Sequence, residues 1–339
     1  MTTPSTTPID ALLVVSFGGP EGPDDVVPFL ENVTWGRAIG PERLAEVGAH
    51  YALFDGVSPI NGQCRDLVAA LESALAARGD DLPVYWGNRN WHPLLQDTIA
   101  QMATDGVERA VAFVTSAYSS FSSCRQYLDD ITRARAAVGD RAPVIEKLRT
   151  FHDHPGFVDP FVDAVRAAFA SLPEDRRDAA ELVFTAHSIP GAMAAGCDYE
   201  EQLAVTAELV AGAVGRSGRW ELVFQSRSGP PHVPWLEPDI GDHLETRARA
   251  GAAAMVMAPI GFVSDHMEVV YDLDTEARAI ADALGLPVAR AATPGTDPRF
   301  ISMVLDLVDE RRAGAVPVAL GPAGPRQMPC PPGCCPPAS

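Results

Sequence analysis

Short apolar runs recur along this chain at residues 9–16, 84–87, 110–116, 144–148, 182–185, 222–225 and 253–259, and each is followed by a turn and a stretch of helical periodicity. Apolar runs without polar alternation are strands buried on both faces. Strand, crossover and helix in repeated order specify a parallel sheet wrapped by helices, so the expected class is α/β, doubly wound. At 339 residues the chain exceeds one ordinary core. Two α/β halves with a cleft between them are therefore expected. The expected division is 8–123 with about 292–313 as a first domain, 124–291 as a second, and 314–339 as a C-terminal tail.

In an open parallel sheet the carboxyl ends of the strands face the ligand crevice, so the residues that end each run deserve the closest reading. The run at 182–185 leads to His187 and then turns at Ser188-Ile189-Pro190-Gly191. Imidazole titrates near neutral pH and suits proton transfer, although a ring tied down at a strand edge fits the position equally well. The run at 9–16 ends in Phe17-Gly18-Gly19-Pro20, a tight loop that lets a ligand approach the backbone but lacks the Gly-x-Gly-x-x-Gly dinucleotide pattern. After 110–116 comes a hydroxyl-rich segment, 117–127, leading into a helix. It is either an anion site at a helix start or a capping segment with no ligand.

The run at 253–259 precedes a segment expected to be helical from about Ser264, which places Glu268, Asp272 and Glu276 at i, i+4 and i+8 on one face. Like charges at that spacing cost roughly 0.2–0.5 kcal/mol per pair. A divalent cation would offset that cost, and a solvated acidic face is the plainer reading. If the two strands are neighbours, Glu268 faces His187, and such a pair can pass a proton or hold a metal transiently.

A net charge of −19 excludes a phosphate-neutralising surface and hence nucleic acid as partner. No apolar run approaches the roughly 20 residues of a membrane span, and the first residues lack a basic and apolar leader, so a cytoplasmic protein is expected. Lys147 is the only lysine. Cys64, Cys124 and Cys197 are scattered, whereas Cys330, Cys334 and Cys335 crowd the end of a Pro/Gly-rich tail. In a reducing compartment that crowding points to metal ligation rather than disulfides, with an idle tail as the other reading.

Four segments, Ser16-Phe-Gly-Gly-Pro20, Gly56-Val-Ser-Pro59, Ala186-His-Ser-Ile-Pro190 and Gly261-Phe-Val-Ser-Asp-His-Met-Glu268, together resemble the ferrochelatase family, most nearly its coproporphyrin III branch in actinobacteria. The resemblance spans about residues 9–312 and implies two Rossmann-like domains, each a parallel four-stranded sheet flanked by helices. It implies insertion of Fe(2+) into coproporphyrin III for haem biosynthesis, with protoporphyrin IX or cobalt as alternative substrates and a non-catalytic tetrapyrrole carrier as the rival from another class. By the same resemblance His187 takes up pyrrole protons and meets the metal, Glu268 is its acidic partner, and Asp272 and Glu276 line a metal route. Ser58, Tyr127, Phe17 and Arg37 are the substrate-binding candidates, and Arg125 is a further propionate donor. Phe17 stands where several relatives carry tyrosine, so an iron–tyrosine bond is excluded there and stacking is expected.

The tail cysteines resemble those of relatives that carry a 2Fe-2S cluster, which takes four thiolates. The fourth would come from Cys64, Cys124 or Cys197, and a zinc site is the alternative. A monomer is expected, with transient contact to the next enzyme of the haem pathway.

Overall fold

The computed structural model describes residues 8–36, 40–230, 232–331 and 333–337. Strands β1 (Ala11–Ser16), β2 (Val84–Asn88), β3 (Arg109–Val114) and β4 (Val144–Lys147) form one sheet in the order β2-β1-β3-β4. Strands β5 (Glu181–His187), β6 (Glu221–Gln225), β7 (Met255–Ala258) and β8 (Val288–Arg290) form a second in the order β6-β5-β7-β8. Every pairing is parallel. The architecture is the expected α/β one of two parallel four-stranded sheets flanked by helices.

The central strands carry the longest apolar runs because neighbours and helices cover them on all sides. All six residues of β1 are buried, as are the interior five of β5. In the first sheet Leu13, Val15, Ala112 and Val114 pack with Leu95, Ile99 and Met102 of the helix Leu95–Thr104 and with Ile131 of the helix Gln126–Val138. In the second, Val183, Val223, Met255 and Met257 pack with Ile240 and Leu244 of the helix Ile240–Arg249 and with Val269, Leu273 and Ala277. Proline opens the helices Pro23–Val33, Pro41–Ala52 and Pro155–Ser171, where its fixed φ is already helical and no amide bond is forfeited.

The chain divides into two units. One comprises the residues up to Thr115 with Gln126–Arg149 and Val304–Pro317, and the other Ser116–Arg125, Thr150–Met303 and Val318–Ser339. The expected boundary near 124 misplaces β4, which pairs with β3 in the first sheet. Lys147 ends β4, buried, and its ammonium donates to the Leu148 carbonyl at 3.1 Å. Beyond it, Arg149 makes a two-pronged buried pair with Glu310 at 2.8 Å.

The acidic segment also departs from the expected helix. Helical turns begin at Met267, widen to a π-helix over Val270–Ala277 and return to α over Arg278–Leu284. π-helical geometry is rare and, where it interrupts an α-helix, is frequent at functional sites.

Candidate functional site

β5 ends in the second unit with His187, in register with Gln225 at the end of β6. Several contacts hold the imidazole. Its Nδ1 pairs with the Ser188 carbonyl, and the Tyr199 hydroxyl donates to its own carbonyl at 3.0 Å. Ser188 is fixed in turn, its amide donating to the Gln225 carbonyl and its hydroxyl to that of Leu236, both at 2.8 Å. Gly261 lets the segment after β7 cross this strand end, since a Cβ there would lie 2.6 Å from the Ala186 Cα.

That crossing brings Glu268 to His187, with Oε1 3.6 Å from Nε2. His266 flanks the same carboxylate at 3.9 Å, accepts the Glu268 amide at Nδ1 and stacks edge-on against Phe262. Gln225 donates to the Glu268 carbonyl and, at 3.5 Å, to the Asp272 carboxylate. Ser226 donates its hydroxyl to Asp272 as well, from a left-handed backbone at φ 61° that serine rarely adopts. His187, Glu268 and Asp272 therefore form one connected group, while Glu276 enters it through its charge on Asp272. Deeper in the loop, Arg290 pairs with Asp265 at 3.0 Å and Asp274 at 2.7 Å.

The charges in this group are coupled. Burial disfavours a charged His187 ring, yet the adjacent Glu268 carboxylate outweighs it and pushes the ring up to about 9. Burial likewise opposes charge on Glu268, and His187 overrides it, holding the carboxyl down at about 2. Both side chains keep partial solvent access, 31% and 44% exposed, so solvent screens their attraction. Asp272 behaves in the opposite way. Burial, joined by the Glu268 charge, pushes it up to about 7 against the pull of the Ser226 hydroxyl. His266 is held below its ordinary value, first by burial.

The strand ends of the first unit carry a different set. Ser58, buried, is drawn against the β1 loop, where a Cβ on Gly19 would lie 2.6 Å from its own Cβ. Phe17 meets Phe29 edge-on at 6.3 Å. Arg89 lies between two rings, 5.7 Å from the centroid of Phe17 and 4.6 Å from that of Tyr127, and pairs with buried Asp130. Tyr127 thus serves as the floor for a guanidinium, a contact the sequence did not signal because Arg89 sits in a loop with no motif. Arg37 lies outside the described residues. In 117–127 the Ser120 and Ser123 hydroxyls bond each other at 2.7 Å, Ser123 donates to the Tyr118 carbonyl, and the Ser119 amide donates to Gln202. The Ser120 and Ser123 hydroxyls thus take part in shaping the segment.

The tail forms a second cluster, in the unit that holds His187. Arg326 pairs with Asp198 and donates to the Cys334 sulfur at 3.5 Å. The Cys334 and Cys335 sulfurs are 3.4 Å apart, and the Cys330 thiol meets the Met328 sulfur at 3.5 Å. Cys335 is buried, which pushes its thiol up, and Cys334, Cys124 and Cys197 lie close enough to push it further. Cys64 is buried in the other unit, where its thiol bonds Ser16. Among the described residues no three His, Cys, Asp or Glu side chains are gathered tightly enough to hold a metal ion as they stand. The donor set is nevertheless all thiol and partly buried, which suits iron–sulfur ligation.

The sequence profile of the ferrochelatase family matches residues 9–312. The chain belongs to the ferrochelatase family. A relative in Streptomyces coelicolor, a coproporphyrin III ferrochelatase, is 56% identical over 352 residues, covering 97% of this chain and 94% of its own. A coproporphyrin III ferrochelatase of Nocardia farcinica is 54% identical over 343 residues, covering 97% of each. Among solved structures, SirB from Bacillus subtilis with Fe3+ superposes with a TM-score of 0.55 at 11% identity over 90% of this chain and 96% of its own, a likeness of fold alone. In this ferrochelatase the family motifs contain His266, Gln225 ends an apolar run that Ser226 follows, and none of the three was legible as part of the site from spacing.

Proposed function

We propose that this ferrochelatase inserts Fe(2+) into coproporphyrin III, with His187 and Glu268 as the proton-handling pair. The observation that carries the reading is the 3.6 Å approach of the Glu268 carboxylate to the His187 ring at a strand end. Iron can occupy a porphyrin only after the pyrrole N–H groups release their protons, so a base must reach the ring centre. His187 takes a pyrrole proton at Nε2 when that atom is neutral. In the free enzyme Glu268 keeps it protonated, so the proton first moves along the carboxylates, and Asp272, poised near neutrality, receives it. The approaching metal cation favours the same transfer. Asp272 and Glu276 then serve two needs with one set of oxygens, guiding hard cations in and protons out.

Phe17, backed by the Arg89–Tyr127 stack, supplies a flat wall for a macrocycle, with the Ser58 hydroxyl as a polar partner. In this reading the enzyme is a cytoplasmic monomer. Cys330, Cys334, Cys335 and one thiol from the body of the same unit would hold a 2Fe-2S cluster. When bound, the cluster supplies a one-electron centre and ties the tail down.

Anaerobic incubation with Fe(2+) and coproporphyrin III, followed by loss of the free-base spectrum, tests the activity. Metallation by the wild type at tenfold or more the rate of His187→Ala is expected, and equal rates would overturn it. Competition against protoporphyrin IX and Co(2+) tests the substrate assignment, and a preference for either would replace it.

A further inference from the structure

Five carboxylates crowd residues 265–276, and the group around His187 uses three of them, Glu268, Asp272 and Glu276. The other two, Asp265 and Asp274, are bound to one guanidinium. Arg290, the last residue of β8, grips Asp265 with both Nη atoms, at 3.1 and 3.0 Å, and reaches Asp274 with Nε at 2.7 Å. Thr293 donates its hydroxyl to Asp265 at 2.8 Å, and Nη1 of Arg290 also donates to the Ala291 carbonyl at 3.2 Å. A planar fork of donors on a carboxylate fixes direction as well as distance. The strand order β6-β5-β7-β8 puts Arg290 at one edge of the sheet and Gln225, with Ser226 after it, at the other. Three strand spacings, about 14 Å, separate those edges. Asp272 is tied to the β6 edge and Asp274 to the β8 edge, and side chains two apart on a helix do not share a face. The acidic segment is therefore pinned from both edges, and Glu268 meets His187 of β5 between them.

We propose that Arg290 is a positioning residue for metal insertion, clasping the acidic segment at Asp265 and Asp274 so that Glu268 is aimed at His187, and that these two aspartates stand outside the metal route. The inference rests on the His187–Glu268 reading above. Like charges along a helix repel, and one guanidinium neutralises the two carboxylates that take no part in proton transfer. The guanidinium is mostly buried, so solvent screens these pairs little. Without it the π-helical stretch keeps its tie to the β6 edge and loses the one to the β8 edge, so it can roll about its axis and carry Glu268 away from His187. A misplacement of about 1 Å at a reacting group costs up to about 10²-fold in rate.

The test uses the full chain, assayed anaerobically with varied Fe(2+) and coproporphyrin III beside wild type and His187→Ala, together with amide hydrogen exchange. Arg290→Gln should lower kcat by roughly 10–100-fold. KM for Fe(2+) and for the porphyrin should stay unchanged, the signature of an interaction realised in the transition state. Arg290→Lys, which keeps the charge but not the fork, should recover part of the loss. Asp274→Asn, which leaves the Asp265 prongs in place, should lower kcat by a smaller factor. Amides of residues 267–277 should exchange faster in Arg290→Gln, with those of β5 unchanged. Wild-type kcat in Arg290→Gln overturns the proposal, and so does a raised KM for Fe(2+) in Asp274→Asn, which would put that carboxylate on the metal route. Where Arg290→Gln fails to fold, Asp274→Asn decides, and wild-type kcat there overturns the clasp. Equal rates in wild type and His187→Ala overturn the reading beneath the proposal, whereas an impaired His187→Ala beside an unimpaired Arg290→Gln overturns the clasp alone.

Discussion

The two sheets share one strand order, with the first strand of each set at the centre between the second and third, yet their carboxyl ends do opposite kinds of work. In the first unit the strand ends present the Ser58 hydroxyl and a guanidinium stacked between aromatic rings and paired with Asp130, groups that do not exchange protons near neutral pH. In the second they present an imidazole, a second imidazole and a run of carboxylates whose proton affinities are pulled apart by their neighbours. A doubly wound sheet fixes where chemistry can be placed, and the residues at the strand ends decide which chemistry it is.

The largest test of that division is His187→Ala. Loss of a positioned acid–base group costs about 10²–10⁴-fold in rate. The expected outcome is a fall in kcat of that size, with porphyrin affinity retained in equilibrium fluorescence titrations. A loss confined to KM would place His187 on the binding side and erase the contrast.

Arg89→Ala probes the other unit. Removing one partner of a buried pair costs about 3–5 kcal/mol, and because exposed Arg133 also pairs with Asp130 the loss should sit near the lower end. Urea denaturation should show it, and at temperatures where the variant folds its defect should lie in KM for porphyrin.

Glu268→Gln should move a pH profile. Glu268 raises His187 from 6.5 to about 9, so activity that needs a neutral ring climbs through that range. Removing the charge should shift the limb toward the ordinary value of 6.5, measured as kcat/KM against pH. The stability that the pair contributes is fully present between about pH 4.5 and 6.5 and is lost as pH falls through about 2 and as it rises through about 9, so the same variant should flatten the alkaline loss seen in thermal melts. An unmoved limb would mean that His187 does not set it.

The smallest effect is expected at His243, buried beside Glu221 and away from the group at His187. Burial holds its ring below 6.5, so the unfolded chain binds the extra proton and stability falls as pH drops through 6.5. His243→Gln should remove part of that slope in urea midpoints and leave the activity profile untouched.

His187 was legible because an apolar run bounded by a proline–glycine turn marks a buried strand and its last residue. The Glu268, Asp272 and Glu276 ladder was legible as a spacing, but its π-helical backbone was not, because an i→i+5 hydrogen-bond pattern leaves no periodicity distinct from an α-helix over so short a stretch. Arg89 was hidden because its importance depends on rings supplied by Phe17 and Tyr127, which are distant in sequence. The domain boundary near 124 failed for a similar reason, since strand pairing rather than chain order assigns β4 to the first sheet. The three-residue β8 and the helix Pro298–Arg312 were not located from the apolar pattern at all.

Lys147 gives this molecule an internal reporter. As the only lysine, with its ammonium folded onto the Leu148 carbonyl at the edge of the first sheet, it offers nothing for an acylating reagent to reach while that edge stays closed. The rate at which Lys147 is acylated in otherwise native solution therefore times the local opening of β4. Added porphyrin would slow that labelling only if holding the macrocycle also holds the sheet shut.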